Sequence, residues 1–132
     1  MRDSLVYLDS SAFVKLVMPE PETPALVAHL RRWPRAVSAA LLRTEVLRAA
    51  ARCSPARIHD ARRALRDVAL LDLGRDLLDR AAALPPPRLR SLDALHLAAA
   101  LTLGDDLDEL VTYDARMASA AAVQGLPVSS PV

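Results

Sequence analysis

The feature that most constrains the fold is a short apolar run near the start of the chain that ends in an acid. Leu5–Leu8 is uniformly apolar and β-prone, as a strand buried on both faces is. Asp9 follows at once, and from Ser10 onward the apolar residues take the spacing of a helix. A carboxylate is therefore predicted where a buried strand passes into a helix. In open α/β sheets, ligands bind at that edge.

The same alternation of apolar runs and helical patterns continues along the chain. The pattern predicts further helices over residues 22–32, 39–52, 56–68, 75–84, 91–103 and 115–123. It predicts strands over residues 36–38, 69–73, 110–113 and 126–128, with an acidic loop at 105–109. Alternating strands and helices are typical of a parallel sheet with helices on both faces, so the fold class is α/β.

Length and composition predict one globular domain over residues 1–132. The 132 residues are 52% hydrophobic and 25% charged, with a formal net charge of +1. Cys53 is the only cysteine, which excludes an internal disulfide and a cysteine metal cluster. The first apolar run is too short for a signal peptide, and residues 94–103 are too few to span a bilayer. We expect a cytoplasmic protein without a membrane partner.

Asp114 repeats the arrangement of Asp9. It follows the predicted strand 110–113 and precedes the helix 115–123. Each aspartate is also well suited to cap the helix that it precedes. If the two strands are neighbours, both carboxylates lie at the same edge of the sheet and face each other.

Two further acids lie on helices. Glu45 falls on the apolar side of the helix 39–52, where it either serves the same site or pairs with Arg48 or Arg52. Asp93 lies in the first turn of the helix 91–103, where the helix dipole favours an acid. In the alternative interpretation Ser91 caps this helix and Asp93 only complements the dipole. His96, three residues later, is interpreted as a packed histidine.

The residue types favour one kind of chemistry. Four oxygen ligands without a Cys or His cluster suit Mg²⁺ or Mn²⁺. Such ions act on phosphate esters by activating water and neutralising developing charge. The chain has three glycines, which excludes a glycine-rich phosphate loop, and it contains no Gly-x-Ser-x-Gly motif.

The four acids stand in motifs that resemble those of a known family. The motifs read YLDSSA around Asp9, RTEV around Glu45, LDALHLA around Asp93 and VTYD ending at Asp114. In order and spacing they resemble the four acidic motifs of PIN domains, and within that family the VapC-type toxins of toxin–antitoxin pairs. The resemblance covers nearly the whole chain.

The resemblance implies a parallel sheet of about five strands in the order 3-2-1-4-5. It implies a Mg²⁺- or Mn²⁺-dependent endoribonuclease that forms homodimers, cleaves RNA and is neutralised by a cognate antitoxin protein. The positions that match the catalytic, metal-binding acids are Asp9, Glu45, Asp93 and Asp114. Ser11 and Thr112 match polar positions that hydrogen-bond the acids or their waters.

Two other functions are weighed against this one. Phosphatases of the haloacid-dehalogenase type also place an aspartate after the first strand, but their second acid falls where this chain has Ser11. The other alternative is a non-catalytic α/β module that binds RNA or protein. Three arginine clusters either hold RNA phosphates or form solvated helix faces: Arg31, Arg32 and Arg35; Arg62, Arg63 and Arg66; and Arg88 and Arg90.

Overall fold

The computed structural model describes residues 3–132 and contains a five-stranded sheet in which every paired strand is parallel. The strands are β1 (Leu5–Leu8), β2 (Arg35–Ala39), β3 (Val68–Leu71), β4 (Leu107–Val111) and β5 (Val128–Ser129). Their spatial order is β3-β2-β1-β4-β5. The predicted fold class and strand order are confirmed.

Within residues 3–132, seven α-helices connect the strands. They are α1 (Ser10–Val17), α2 (Thr23–Leu30), α3 (Leu41–Ala51), α4 (Pro55–Leu65), α5 (Arg75–Ala83), α6 (Ser91–Leu101) and α7 (Ala115–Val123). A short 3₁₀ turn at Gly104–Asp106 precedes β4. Among residues 3–132, no helix combines the length and apolar character needed to cross a bilayer.

The sheet buries one hydrophobic core on each face. Successive strand side chains point to opposite faces, so Val6 and Leu8 of β1 pack with α1 to α4. Leu5 and Tyr7 point the other way and pack with α5, α6 and α7. β1 is therefore buried on both faces, which explains why its sequence is continuously apolar rather than alternating.

Several predicted boundaries are wrong, and two of them concern the last strands: β4 ends at Val111 and not at residue 113, and β5 is Val128–Ser129 and not 126–128. β4 begins at Leu107, so Asp108 and Glu109 belong to the strand and not to an acidic loop. Both acids accept hydrogen bonds from other parts of the chain, which makes a strand position acceptable for them. α4 ends at Leu65, because Val68 pairs with Ala36 and begins β3. β2 extends over five residues, since all but its first are paired along β3.

The chain order reverses between β1 and β4. From β1 the chain moves outward to β2 and β3, and then it returns to the other side of β1 to form β4 and β5. Leu8 pairs in register with Val111, so β1 and β4 end side by side. A parallel sheet opens a crevice at such a point, and the two strand-end aspartates lie there.

Candidate active site

All four predicted acids line one cleft at the carboxyl ends of the strands. The cleft has a volume of about 790 Å³. β1 ends just before Asp9 and β4 ends three residues before Asp114, while α3 supplies Glu45 and α6 supplies Asp93. The topology thus brings acids from distant parts of the sequence to one solvent-filled space.

Asp9 is the most enclosed of the four acids, with 3% of its surface exposed. Its carboxylate accepts hydrogen bonds from the Ala12 amide at 3.0 Å, the Ser11 hydroxyl at 2.7 Å and the Thr112 hydroxyl at 2.5 Å. Burial raises the pKa of Asp9 above its ordinary value, and the hydrogen bonds offset only part of that rise. Asp9 is both the cap of α1 and part of the cleft, so the two interpretations are compatible.

Ser11 and Thr112 join the segments that follow β1 and β4. The Ser11 hydroxyl accepts from the Tyr113 amide at 2.9 Å, and the Thr112 hydroxyl accepts from the Asp114 amide at 3.1 Å. Because both hydroxyls also donate to Asp9, the two strand ends are held in a fixed relation. The two residues predicted to support the acids do contact Asp9.

Asp93 and Asp114 are linked by one guanidinium group. Arg90 Nε lies 3.1 Å from Asp93 Oδ2, and Arg90 Nη2 lies 2.8 Å from Asp114 Oδ2. Both acids raise the pKa of Arg90, chiefly Asp93. Asp114 also caps α7 through the Met117 amide at 3.0 Å. The predicted cap at Ser91 is wrong: α6 begins with this residue, Arg90 holds the cap position, and no side chain bonds there.

Glu45 contacts a histidine and not the arginines considered from the sequence. Its Oε1 lies 2.7 Å from His96 Nε2, and His96 Nδ1 lies 2.7 Å from the Tyr7 hydroxyl. His96 is 1% exposed, and burial raises the pKa of Tyr7 above its usual range. The prediction of a packed histidine is right about burial but misses both hydrogen bonds. The i, i+3 spacing from Asp93 was the signal that could have placed His96 beside the cleft.

The acids fit a divalent cation by chemistry, although each is bonded to protein groups. Within residues 3–132, no three Asp, Glu, His or Cys side chains converge closely enough to hold an ion together. Carboxylate and hydroxyl oxygens are nevertheless the ligands that Mg²⁺ and Mn²⁺ prefer. The guanidinium of Arg90 lies between Asp93 and Asp114, so this part of the cleft already attracts a cation.

Basic side chains lie around the acids. Lys15, Arg48, Arg52 and Arg90 line the same cleft. Of the three arginine clusters found in the sequence, only the last contributes to it, through Arg90. The sequence prediction missed Arg48 and Arg52 as part of the cleft, although they follow Glu45 by three and seven residues, Arg48 on α3 and Arg52 at its C-cap.

A second, slightly larger cleft of about 860 Å³ lies between the 85–89 segment and α7. Among residues 3–132, those that line it are mainly apolar, such as Pro86, Leu89 and Val123, and none carries a carboxylate. By volume alone this second cleft would be the candidate active site. The chemistry of the lining residues favours the acidic cleft instead.

The comparison with protein families agrees with the motifs. The model of the PIN domain family matches residues 6–123. This chain belongs to the PIN domain family. That result sets aside the haloacid-dehalogenase alternative.

Curated relatives place the chain among VapC-type PIN domains. It is 50% identical over 127 residues to Ribonuclease VapC46 of Mycobacterium tuberculosis, and the match covers 96% of this chain and 97% of the relative. It is 39% identical over 131 residues to Ribonuclease VapC35 of the same species, with the same coverage of both chains.

Solved structures share the fold. A toxin–antitoxin complex from Klebsiella pneumoniae contains a chain with a TM-score of 0.71 and 23% identity, covering 96% of this chain and 98% of that one. VapC20 of Mycobacterium tuberculosis, described as a Sarcin-Ricin loop cleaving toxin, gives a TM-score of 0.71 and 16% identity. That match covers 87% of this chain and 94% of VapC20.

Proposed function

We propose that this PIN domain is a metal-dependent endoribonuclease and the toxin of a toxin–antitoxin pair. The observation that carries the proposal is the meeting of Asp9, Glu45, Asp93 and Asp114 in one cleft. The chain that bears them is 50% identical to a protein named Ribonuclease VapC46. The family match alone would also fit a domain that binds RNA without cutting it, whereas retained acids in a shared cleft favour hydrolysis.

The four acids are the proposed ligands of Mg²⁺ or Mn²⁺. When bound, the ion supplies a water with a lowered pKa and neutralises charge on the phosphate. Asp9 is the most buried of the four, and three hydrogen bonds at the start of α1 orient its carboxylate. Asp93 and Asp114, which now contact the guanidinium of Arg90, would hold the ion in its place, and Arg90 would then be able to pair with an RNA phosphate.

The basic lining of the cleft supports RNA as the substrate. Arg48 and Arg52 project from α3 beside Glu45, and each cation can neutralise one phosphate of a bound strand. Lys15 is less available, since its ammonium lies 3.2 Å from Glu20 and 3.1 Å from Glu22. Tyr113 lies under that ammonium and is therefore also unsuited to stack on a base.

The proposed partners follow from the relatives. The Klebsiella pneumoniae neighbour is a toxin–antitoxin complex, so we expect a cognate antitoxin protein to bind this chain and suppress its activity. We also expect residues 1–132 to form one domain and two copies of it to form a homodimer in the cytoplasm. Co-expression with the protein encoded next to this gene, followed by size-exclusion chromatography, tests these partners.

Mapping the ends of cleaved RNA tests the proposed chemistry. Attack by a metal-activated water does not use the RNA 2′-hydroxyl, so we expect 5′-phosphate and 3′-hydroxyl ends. Asp9→Asn should abolish cleavage, while Glu109→Gln, which changes an acid outside the cleft, should not. Products with 2′,3′-cyclic phosphate ends would contradict the mechanism. RNA binding without cleavage by the wild type would favour the binding module.

A further inference from the structure

Three side chains form a continuous hydrogen-bonded row that ends at the cleft. β1 supplies Tyr7, α6 supplies His96 and α3 supplies Glu45, so the row crosses three elements. The Tyr7 hydroxyl lies 2.7 Å from His96 Nδ1, and His96 Nε2 lies 2.7 Å from Glu45 Oε1. Tyr7 and His96 are buried, whereas the Glu45 side chain retains 18% exposure.

With an ionised carboxylate and a neutral imidazole, the chemistry of the three groups gives the direction of both bonds. An ionised carboxylate can only accept, so His96 Nε2 must carry the proton that it donates to Glu45. In a neutral imidazole the other nitrogen is then an acceptor, and it takes the proton of the Tyr7 hydroxyl. Tyr7 thus selects the tautomer of His96 that donates toward the cleft.

A histidine in this arrangement does more than fill space. Glutamate has several rotatable bonds, and ordering such a side chain costs conformational entropy. The bond from His96 holds only Oε1, which leaves the second oxygen of Glu45 for a ligand in the cleft. Groups that bond to metal-ligating side chains orient them, and replacing such groups costs metal affinity.

We propose that His96 is a positioning residue that fixes the Glu45 carboxylate for a divalent cation in the cleft. This inference rests on the proposed function, because it assumes that Glu45 is a metal ligand. It adds a role for a residue of α6 that lies beneath the cleft and does not line it.

Two amides of different length test the proposal. The amide of His96→Gln reaches the place of Nε2 and can still donate to Glu45. The amide of His96→Asn reaches only the place of Nδ1, beside Tyr7. With the full chain and Mn²⁺ alone in a calorimeter, we expect His96→Asn to bind about 10–100-fold more weakly than wild type. We expect His96→Gln to bind within about threefold of wild type, and thermal unfolding without metal should be similar for the two variants.

A double-mutant cycle asks whether His96 acts through Glu45. Glu45→Gln should weaken Mn²⁺ binding by itself, and adding His96→Asn to it should cause no further loss. The proposal is wrong if the two losses add, if both amide variants bind as the wild type does, or if both lose affinity or folding equally. Absence of Mn²⁺ binding by the wild type would instead overturn the proposed function, and this inference with it.

Discussion

The molecule contains two glutamate–histidine pairs that are nearly equal in local geometry. Glu45 lies 2.7 Å from His96 Nε2, and Glu109 lies 2.5 Å from His29 Nε2. Both glutamate side chains are 18% exposed. The pairs differ in position: Glu45 lines the acidic cleft, whereas Glu109 lies in the middle of β4 and also accepts from the Ser129 hydroxyl.

Because two such similar pairs lie in different places, neither the residue types nor their pairing identifies the active site. On β4 both partners of the acid come from neighbouring elements, so Glu109 joins α2 to the edge of the sheet formed by β4 and β5. At the cleft, Glu45 is bonded to His96 and also lines the space that the other three acids line. The location at the carboxyl ends of β1 and β4 is what makes an acid available to a ligand.

The largest expected effect separates the two glutamates by activity. Glu45→Gln should reduce RNA cleavage by at least about a hundredfold, because it removes a carboxylate of the proposed metal site. Glu109→Gln should leave cleavage within about twofold of wild type, since the amide can still accept from His29 and Ser129. Rates on one RNA at saturating Mn²⁺ measure both. Equal losses would mean that the cleft is not the active site.

The second effect is on stability, where the acid of β4 should matter more than an acid of the cleft. Glu109→Ala leaves His29 and Ser129 without their acceptor and should lower the free energy of unfolding by about 1–3 kcal/mol. Asp93→Ala breaks a contact with Arg90, whose side chain is 63% exposed, and should cost less stability than Glu109→Ala does. Urea denaturation in EDTA compares them. A larger cost for Asp93→Ala would contradict the division between structural and functional acids.

Arg90 should compete with a metal ion for the acids. Arg90→Ala removes the cation between Asp93 and Asp114, and Mn²⁺ should then bind about tenfold more tightly in the absence of RNA. Arg57→Ala is the matched control, because Arg57 pairs with Asp60 in a different cleft. Calorimetry with Mn²⁺ alone measures both. Weaker binding by Arg90→Ala would mean that Arg90 organises the acids and does not compete.

The smallest effect is a change of stability with pH. Because the folded pKa of Asp9 is raised, the folded state binds this proton more tightly than the unfolded state does. The stabilising contribution is present below the ordinary carboxyl pKa and is lost as pH rises through the raised one. In EDTA, Asp9→Asn should therefore gain stability relative to wild type as the pH rises above the ordinary carboxyl pKa. Denaturation curves at a series of pH values measure the difference in unfolding free energy between the two proteins. A difference that does not change with pH would contradict the raised pKa of Asp9.

The sequence predicted the alternation of strands and helices and the two strand-end aspartates because both leave strong local signals, whereas the strand order came from the resemblance to PIN domains. A buried strand followed by an acid and a helix is visible at Asp9 and again at Asp114. The partner of Glu45 was not predictable, since His96 is 51 residues away and the contact depends on how α3 and α6 pack. The strand position of Asp108 and Glu109 was missed for the same reason, because their donors come from distant segments.

The central claim is that the acids of the cleft act as one divalent cation site and that the acids of β4 do not. Thermal unfolding with EDTA and with Mn²⁺ tests it on four proteins: wild type, Asp9→Asn, Asp93→Asn and Glu109→Gln. At about a hundred times the dissociation constant, Mn²⁺ should stabilise the wild type and Glu109→Gln by about 2.7 kcal/mol. Asp9→Asn and Asp93→Asn should gain much less. Equal stabilisation of all four proteins, or of none, would contradict the account.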